Sequence, residues 1–379
     1  MTSSSTLPSE SSGPKANRFG NPLPIPKPSQ HIANPRPYKP DLTPAPSPLH
    51  PHCLARQRLI LWLPSLTSPR ASKNQTNIVT DQDYDRTVLT VIGASWAKST
   101  KELYSNGLLV YHVYCDGNSI PDQHRAPITP NLLATFLANC AGGQSESTVA
   151  NYTATICAWY ILHGLEWNID ETEYKVLLRG VSKLAPPSAA RPKHAPFSVE
   201  ILEKFCLSLD ITKPQDTAIF ACLTCTFFCV ARLGKLTVPA INKYDPATYI
   251  SRSCFSISNN HEGLPVMKFH LPHTKTSFHR EDAHCAPHDS SSITDPKAAI
   301  ENHFRINSVK PTDHLFTWRH PTKGLCPLSK KEITSCIEEV KKRNPDMPDL
   351  KGHSLRIGGT LYYLLKRVPF DVVKTTVGR

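Results

Sequence analysis

Gly352-His353-Ser354-Leu355-Arg356-Ile357-Gly358-Gly359-Thr360 is the most informative stretch of this chain. The apolar set Ile357, Leu361, Leu364 and Leu365 marks a late helix here, and His353 and Arg356 open it. At a spacing of three the two side chains share one helical face. Taken alone, a His-x-x-Arg pair arises easily by chance, and an Arg near a helix end often only satisfies free carbonyls. Its weight comes from two further basic residues upstream.

Arg232 stands at the end of a nearly continuous apolar run, 218–231, which is long enough for a buried helix and short for a membrane span. Lys275 follows a strand in which Met267, Phe269 and Leu271 alternate with Val266, Lys268 and His270. Two guanidiniums can each offer paired donors to the non-bridging oxygens of one phosphodiester. That geometry stabilises a pentacoordinate transition state without a metal.

Outward from these residues the chain divides into four parts. Residues 196–379 form a domain with a helix from Ser198, later helices at Asp295-Pro296 and at the capping box Ser329 to Glu332, and the strand just described. Residues 185–195, containing Ala185-Pro186-Pro187-Ser188-Ala189-Ala190-Arg191-Pro192-Lys193, combine helix breakers with positive charge and read as a linker. Residues 81–184 are helical throughout. Leu132, Leu133, Phe136, Leu137 and Cys140 share one face, Val149, Tyr152, Ile156, Trp159 and Tyr160 repeat the pattern, and a third helix starts at Asp170-Glu171-Thr172-Glu173. Residues 1–80 hold fifteen of the 35 prolines and are expected to be a disordered basic tail. The fold class is mainly α with a small β-sheet.

With 379 residues, 39% of them hydrophobic, the chain is long enough for two ordinary domains. Its formal charge of +12 favours a polyanionic partner, nucleic acid ahead of an anionic membrane surface. More than half of that charge sits in the tail, where nine Lys and Arg face only Glu10 and Asp41. The 12 Cys are scattered along the chain, no signal peptide opens it, and the apolar stretch 59–63 is too short to span a bilayer, so reduced thiols in cytosol or nucleus are expected. The group His270, His273, His279, His284, Cys285 and His288 lacks the paired ligand spacing of a zinc finger and is expected to be a hairpin with exposed imidazoles.

In order along the chain, Ala231-Arg232-Leu233-Gly234, Pro272-His273-Thr274-Lys275-Thr276 and the 352–360 stretch resemble the active-site motifs of tyrosine recombinases, enzymes that break and rejoin DNA. The run Val368-Pro369-Phe370-Asp371-Val372-Val373-Lys374, ending Val377-Gly378-Arg379, looks like the approach to that family's final motif, especially in fungal Crypton-like mobile elements. The resemblance covers about residues 81–379. It implies a helical core-binding domain followed by an α+β catalytic domain, double-stranded DNA as partner, a nuclear location and no metal or cofactor. Arg232 and Arg356 would clamp the phosphate, Lys275 would act as general acid toward the departing 5′ oxygen, and His353 would assist proton transfer and phosphate binding. Arg191 and Lys193 would add DNA contacts from the linker, the two domains closing as a C-shaped clamp.

The family continues past the Gly-Arg pair with Trp or His and then the nucleophilic tyrosine, which forms a 3′-phosphotyrosine link. This sequence stops at Arg379. The expectation is therefore a truncated, cleavage-incompetent DNA-binding form, with assembly into a homo-oligomer in doubt. Tyr362 and Tyr363 lie about two turns along the helix that carries Arg356 and are expected to pack rather than to replace the nucleophile. Lys235 occupies a position where the family usually has an acidic residue. Two alternatives stand beside this reading: an active recombinase whose C-terminus is missing from the sequence, and a non-catalytic protein-interaction module.

Overall fold

Three polar side chains decide where the helices of the first part begin. Thr129, Ser145 and Asp170 each accept a hydrogen bond from the backbone N–H three residues on, and so start α5 (Pro130–Cys140), α6 (Glu146–His163) and α7 (Glu171–Leu184). They are preceded by α1 (Arg58–Leu61), α2 (Asp81–Ala94), α3 (Lys98–Gly117) and α4 (Asp122–Arg125). The structure is a computed structural model that describes residues 34–65, 81–189, 193–259, 263, 265–272, 281–285 and 292–376. The chain divides into two units, Met1–Ala190 and Arg191–Arg379.

In the first unit the core is filled as the apolar spacing predicts. Leu133, Phe136 and Leu137 of α5 and Val149, Ile156, Trp159 and Tyr160 of α6 are buried, together with Leu108, Tyr111 and Cys115 of α3. One expectation is corrected. Residues 34–65, read as part of a disordered tail, form a strap belonging to this core, with Leu59 1% and Trp62 0% exposed. Burying an indole removes on the order of 200 Å² from water, which helps to offset the ordering of a short segment.

Several polar groups bind the strap to the helices, although Tyr38 OH and Arg58 Nε are buried without a hydrogen-bond partner among the described residues. Trp62 Nε1 donates to Pro51 O at 2.9 Å, Trp159 Nε1 to Trp62 O at 2.7 Å, and Arg58 Nη1 to Ser105 O at 3.0 Å. The Arg58 guanidinium lies over the rings of Tyr38 and Trp62. Prolines lack an N–H, so an extended proline-rich segment brings fewer donors that need partners when it lies down on helices.

In the second unit Ser198 caps α8 (Val199–Ser208), and α9 (Pro214–Phe228) is buried on every side from Thr217 onward. It stops before its apolar run does. Val230 takes φ 49°, with Val230 N–H bonded to Phe227 O and Ala231 N–H to Thr226 O, each at 3.0 Å. This is a Schellman-type stop with a β-branched residue where glycine is usual. Val230 is held there by burial against Val373. Arg232 is therefore carried by the turn after the helix, at the cap of the short α10 (Leu233–Leu236), rather than by the helix itself.

A three-stranded antiparallel sheet follows, β1 (Phe255–Asn259), β2 (Pro265–Leu271) and β3 (Glu281–Cys285), in the order β1-β2-β3 with Phe269 paired to Phe255 and Ala283. Met267, Phe269 and Leu271 face the core, as their alternation predicts. Next come α11 (Pro296–Asn307), whose amides Lys297 and Ala298 bond the Asp295 carboxylate, and the two-stranded β4 (Trp318–His320) with β5 (Gly324–Cys326). The Ser329–Glu332 capping box is formed at the start of α12 (Lys330–Arg343), and α13 (Gly352–Leu365) and α14 (Phe370–Thr376) complete the described unit. The class is mainly α with small β-sheets. Among the described residues no helix is long and apolar enough to cross a membrane.

Candidate functional site

The placement of α13 is set by its glycines. A Cβ on Gly358 would run into the Phe197 backbone, including its carbonyl oxygen, and one on Gly359 into Phe227 O. At the helix start, a Cβ on Gly352 would meet Leu233 Cδ2 at 2.8 Å. The absence of three side chains lets the helix lie directly on the α8 entry, the end of α9 and α10. Phe197 N–H also bonds Ser354 O at 3.1 Å. The helix thus buries Ser354, Leu355, Gly358 and Gly359, whereas Leu361, Leu364 and Leu365 stay exposed. The apolar set that marked this helix is not the face that holds it.

Close packing brings the start of α13 to the segment that carries Arg232. Arg232 is exposed, and Arg356, one turn into the helix, is half-buried. Burial first, and the adjacent charge of Arg232 second, lower the Arg356 pKa from its ordinary value. Arg356 Nη1 is buried without a hydrogen-bond partner among the described residues. An unpaired buried donor costs about 1–3 kcal/mol, and two guanidiniums held together add repulsion. An anion between them relieves both costs.

His353 is exposed on the first turn of α13, three residues before Arg356. Lys351, the residue at the helix cap, has no capping side-chain acceptor; its own N–H instead bonds Ser354 Oγ at 3.1 Å. A fourteen-residue helix thus starts beside the arginines without an acidic or hydroxyl cap on its leading residue, and its dipole favours negative charge there. Lys275 and Arg191 lie outside the described residues, and Lys193 is exposed.

The tyrosines on the far part of α13 are committed to packing. Tyr363 OH donates to Phe228 O at 2.8 Å, and burial pushes its pKa up. Tyr362 packs against the rings of Phe227 and Phe228, with Lys366 over its face. Of the histidine-rich hairpin, His270 and His284 lie on the paired strands β2 and β3, with His270 Nδ1 2.5 Å from Asp282 Oδ1, and Cys285 is buried in the core. His273, His279 and His288 are outside the described residues.

What the sequence motif did not disclose is the role of Gly358 and Gly359 in seating the helix. Two glycines inside a helix cost about 1 kcal/mol each relative to alanine, and that cost was the available signal of a close approach.

The chain is similar in fold to several solved structures. These include XerH site-specific recombinase bound to difH substrate in a pre-cleavage complex, at 15% identity over 81% of each chain with a TM-score of 0.47. A lambda integrase dimer bound to a core site is 10% identical over 79% of this chain and 94% of that one, with a TM-score of 0.40. An FLP recombinase–Holliday junction complex is 14% identical over 79% and 76%, with a TM-score of 0.32. No protein-family profile and no curated protein sequence matches the chain.

Proposed function

We propose that this protein binds double-stranded DNA and holds one phosphodiester at a basic pocket made by Arg232, Arg356, His353 and the start of α13. The observation that carries this is the buried Arg356 Nη1, without a hydrogen-bond partner among the described residues and within the electrostatic reach of Arg232. A phosphate oxygen is the acceptor that this arrangement lacks, and charge-assisted bonds to it are about twice as strong as neutral ones. The ordered motifs around Arg232, Lys275 and His353-x-x-Arg356 support the finer reading, a DNA strand-exchange protein of the tyrosine recombinase type from a mobile element, acting in the nucleus. In that reading Lys275 protonates the departing 5′ oxygen, and Arg191 and Lys193 add phosphate contacts.

Arg356→Gln is expected to lower affinity for a random-sequence duplex about tenfold at ~0.1 M salt, and to shrink the salt dependence by about one counterion. Fluorescence anisotropy over a salt series reads both quantities, and circular dichroism checks the fold. Unchanged affinity with an intact fold would remove the pocket from DNA binding. The positions of Tyr362 and Tyr363 support binding without attack by either tyrosine. A nicked suicide duplex should therefore yield no covalent adduct on these two residues; an adduct mapped to either would overturn that assignment.

A further inference from the structure

The strap and the helices of the first unit meet at a second polar cluster, unrelated to the arginine pocket. His50 from the strap, His112 from α3 and Asp122 from α4 each place a ligand atom within 4.8 Å of the other two. The His50 and His112 rings are tilted 57° to each other with centroids 4.0 Å apart, beside Trp62 and Trp159. We propose that His50, His112 and Asp122 bind a divalent transition-metal ion, zinc in particular, which fastens the strap to the helical unit.

The hydrogen bonding prepares the donors. His50 Nε2 lies 3.2 Å from Leu63 O and donates to it, so Nδ1 keeps its lone pair and faces Asp122 Oδ1 at 3.8 Å. A ring nitrogen fixed by a backbone carbonyl while the other ligates is the usual arrangement for a metal-binding histidine. His112 is fully buried; Arg125 Nη1 donates to its Nδ1, which therefore carries the lone pair, while Nε2–H has no hydrogen-bond partner among the described residues. Two imidazoles and one carboxylate suit zinc, with a water completing four-coordination.

Among the described residues, Arg125 is the cation that contacts the cluster. Its Nη1 makes two long contacts, 3.3 Å to Asp122 Oδ1 and 3.4 Å to His112 Nδ1. Nη2 is held by Asp116 at 2.7 Å and Nε by Ile120 O at 2.8 Å, so the guanidinium remains anchored when Nη1 yields those two contacts. Asp116 and Asp122 against one arginine leave the cluster with a net negative charge. A cavity of about 420 Å³ lined by Tyr38, Ser47, His50 and His52 reaches one of the three ligands, His50. Ligand-to-ligand distances must shorten toward the roughly 3.4 Å edge set by zinc–ligand bonds of ~2.0–2.1 Å, an adjustment within reach of side-chain rotation.

The test is zinc titration of the full-length, chelator-stripped protein, with cobalt as a spectroscopic stand-in. The expected result is one zinc per chain, a cobalt d–d spectrum of four-coordinate type, and a zinc-dependent rise in the unfolding midpoint. His50→Gln and Asp122→Asn should each weaken binding by more than the roughly 10- to 100-fold typical of outer-shell changes, while His270→Gln and His284→Gln, in the hairpin, leave it intact. Asp122→Asn keeps the side-chain volume and so remains informative if His50→Gln fails to fold. No stoichiometric zinc on the wild-type chain would overturn the proposal, as would binding lost only in the hairpin variants.

Discussion

Gly358→Ala should destabilise the second unit by about 3 kcal/mol, the upper end of the cost of overpacking a core. The added methyl meets backbone atoms of Phe197, and Phe197 is itself 2% exposed and tied to Ser354 O. Neither partner can rotate away as a flexible side chain would, so either α13 lifts or the α8 entry shifts. Both movements displace Arg356 from Arg232, so DNA affinity should fall together with stability. Gly180→Ala provides the matched control. Nothing lies within 4 Å of a Cβ there, and the change should stabilise the first unit by up to about 1 kcal/mol. Urea unfolding of the full chain reads both effects, and an unchanged midpoint for Gly358→Ala would mean that α13 is not seated by this contact.

Acidification should weaken the second unit well before carboxylates titrate. His303 on α11 and His314 in the loop that follows it are both buried, and burial lowers their pKa values to about 4 and about 3. His303 Nε2 donates to Leu315 O at 3.0 Å and its Nδ1 faces Asn307 Nδ2 at 3.0 Å, a pairing available only to the neutral ring. His314 Nδ1 accepts from Phe316 N–H at 3.2 Å.

Unfolded histidine binds a proton below about pH 6.5, whereas these two do not until far lower, so the unfolded state holds more protons throughout that window. Stability therefore falls as pH drops from about 6.5 toward the native pKa values. Between pH ~6.5 and ~5 the loss should reach about 2 kcal/mol per histidine. His303→Gln and His314→Gln should each flatten the slope by about that amount, whatever they do to stability at neutral pH. A slope that both variants leave unchanged would place the protons elsewhere.

Much of the second unit was legible because its signals were local. The alternation at 266–271, the Ser329 capping box and the twelve-residue buried face of α9 each need only neighbouring residues to be understood. Arg232 was found by its motif but misplaced by a few residues, since nothing in an apolar run announces that Val230 will adopt a left-handed conformation and end the helix. The strap was missed for a different reason. Proline content over eighty residues masks the Leu59-Ile60-Leu61-Trp62-Leu63 run, which is too short for a membrane segment and carries no local mark of an anchor. Its partners, Ser105, Trp159 and His163, lie far along the chain, and long-range pairing of that kind leaves no local trace. The His50–His112–Asp122 cluster was invisible in the sequence for the same reason.

The proposed convergence of Arg232 and Arg356 on one DNA phosphate is tested most directly by a double-mutant cycle on duplex affinity, using Arg232→Gln, Arg356→Gln and the pair in the full-length chain. If both guanidiniums hold the same phosphate, the second substitution should cost much less than the first, with a coupling of about 1 kcal/mol or more. Strictly additive losses, or no loss in any variant, would contradict a shared phosphate pocket.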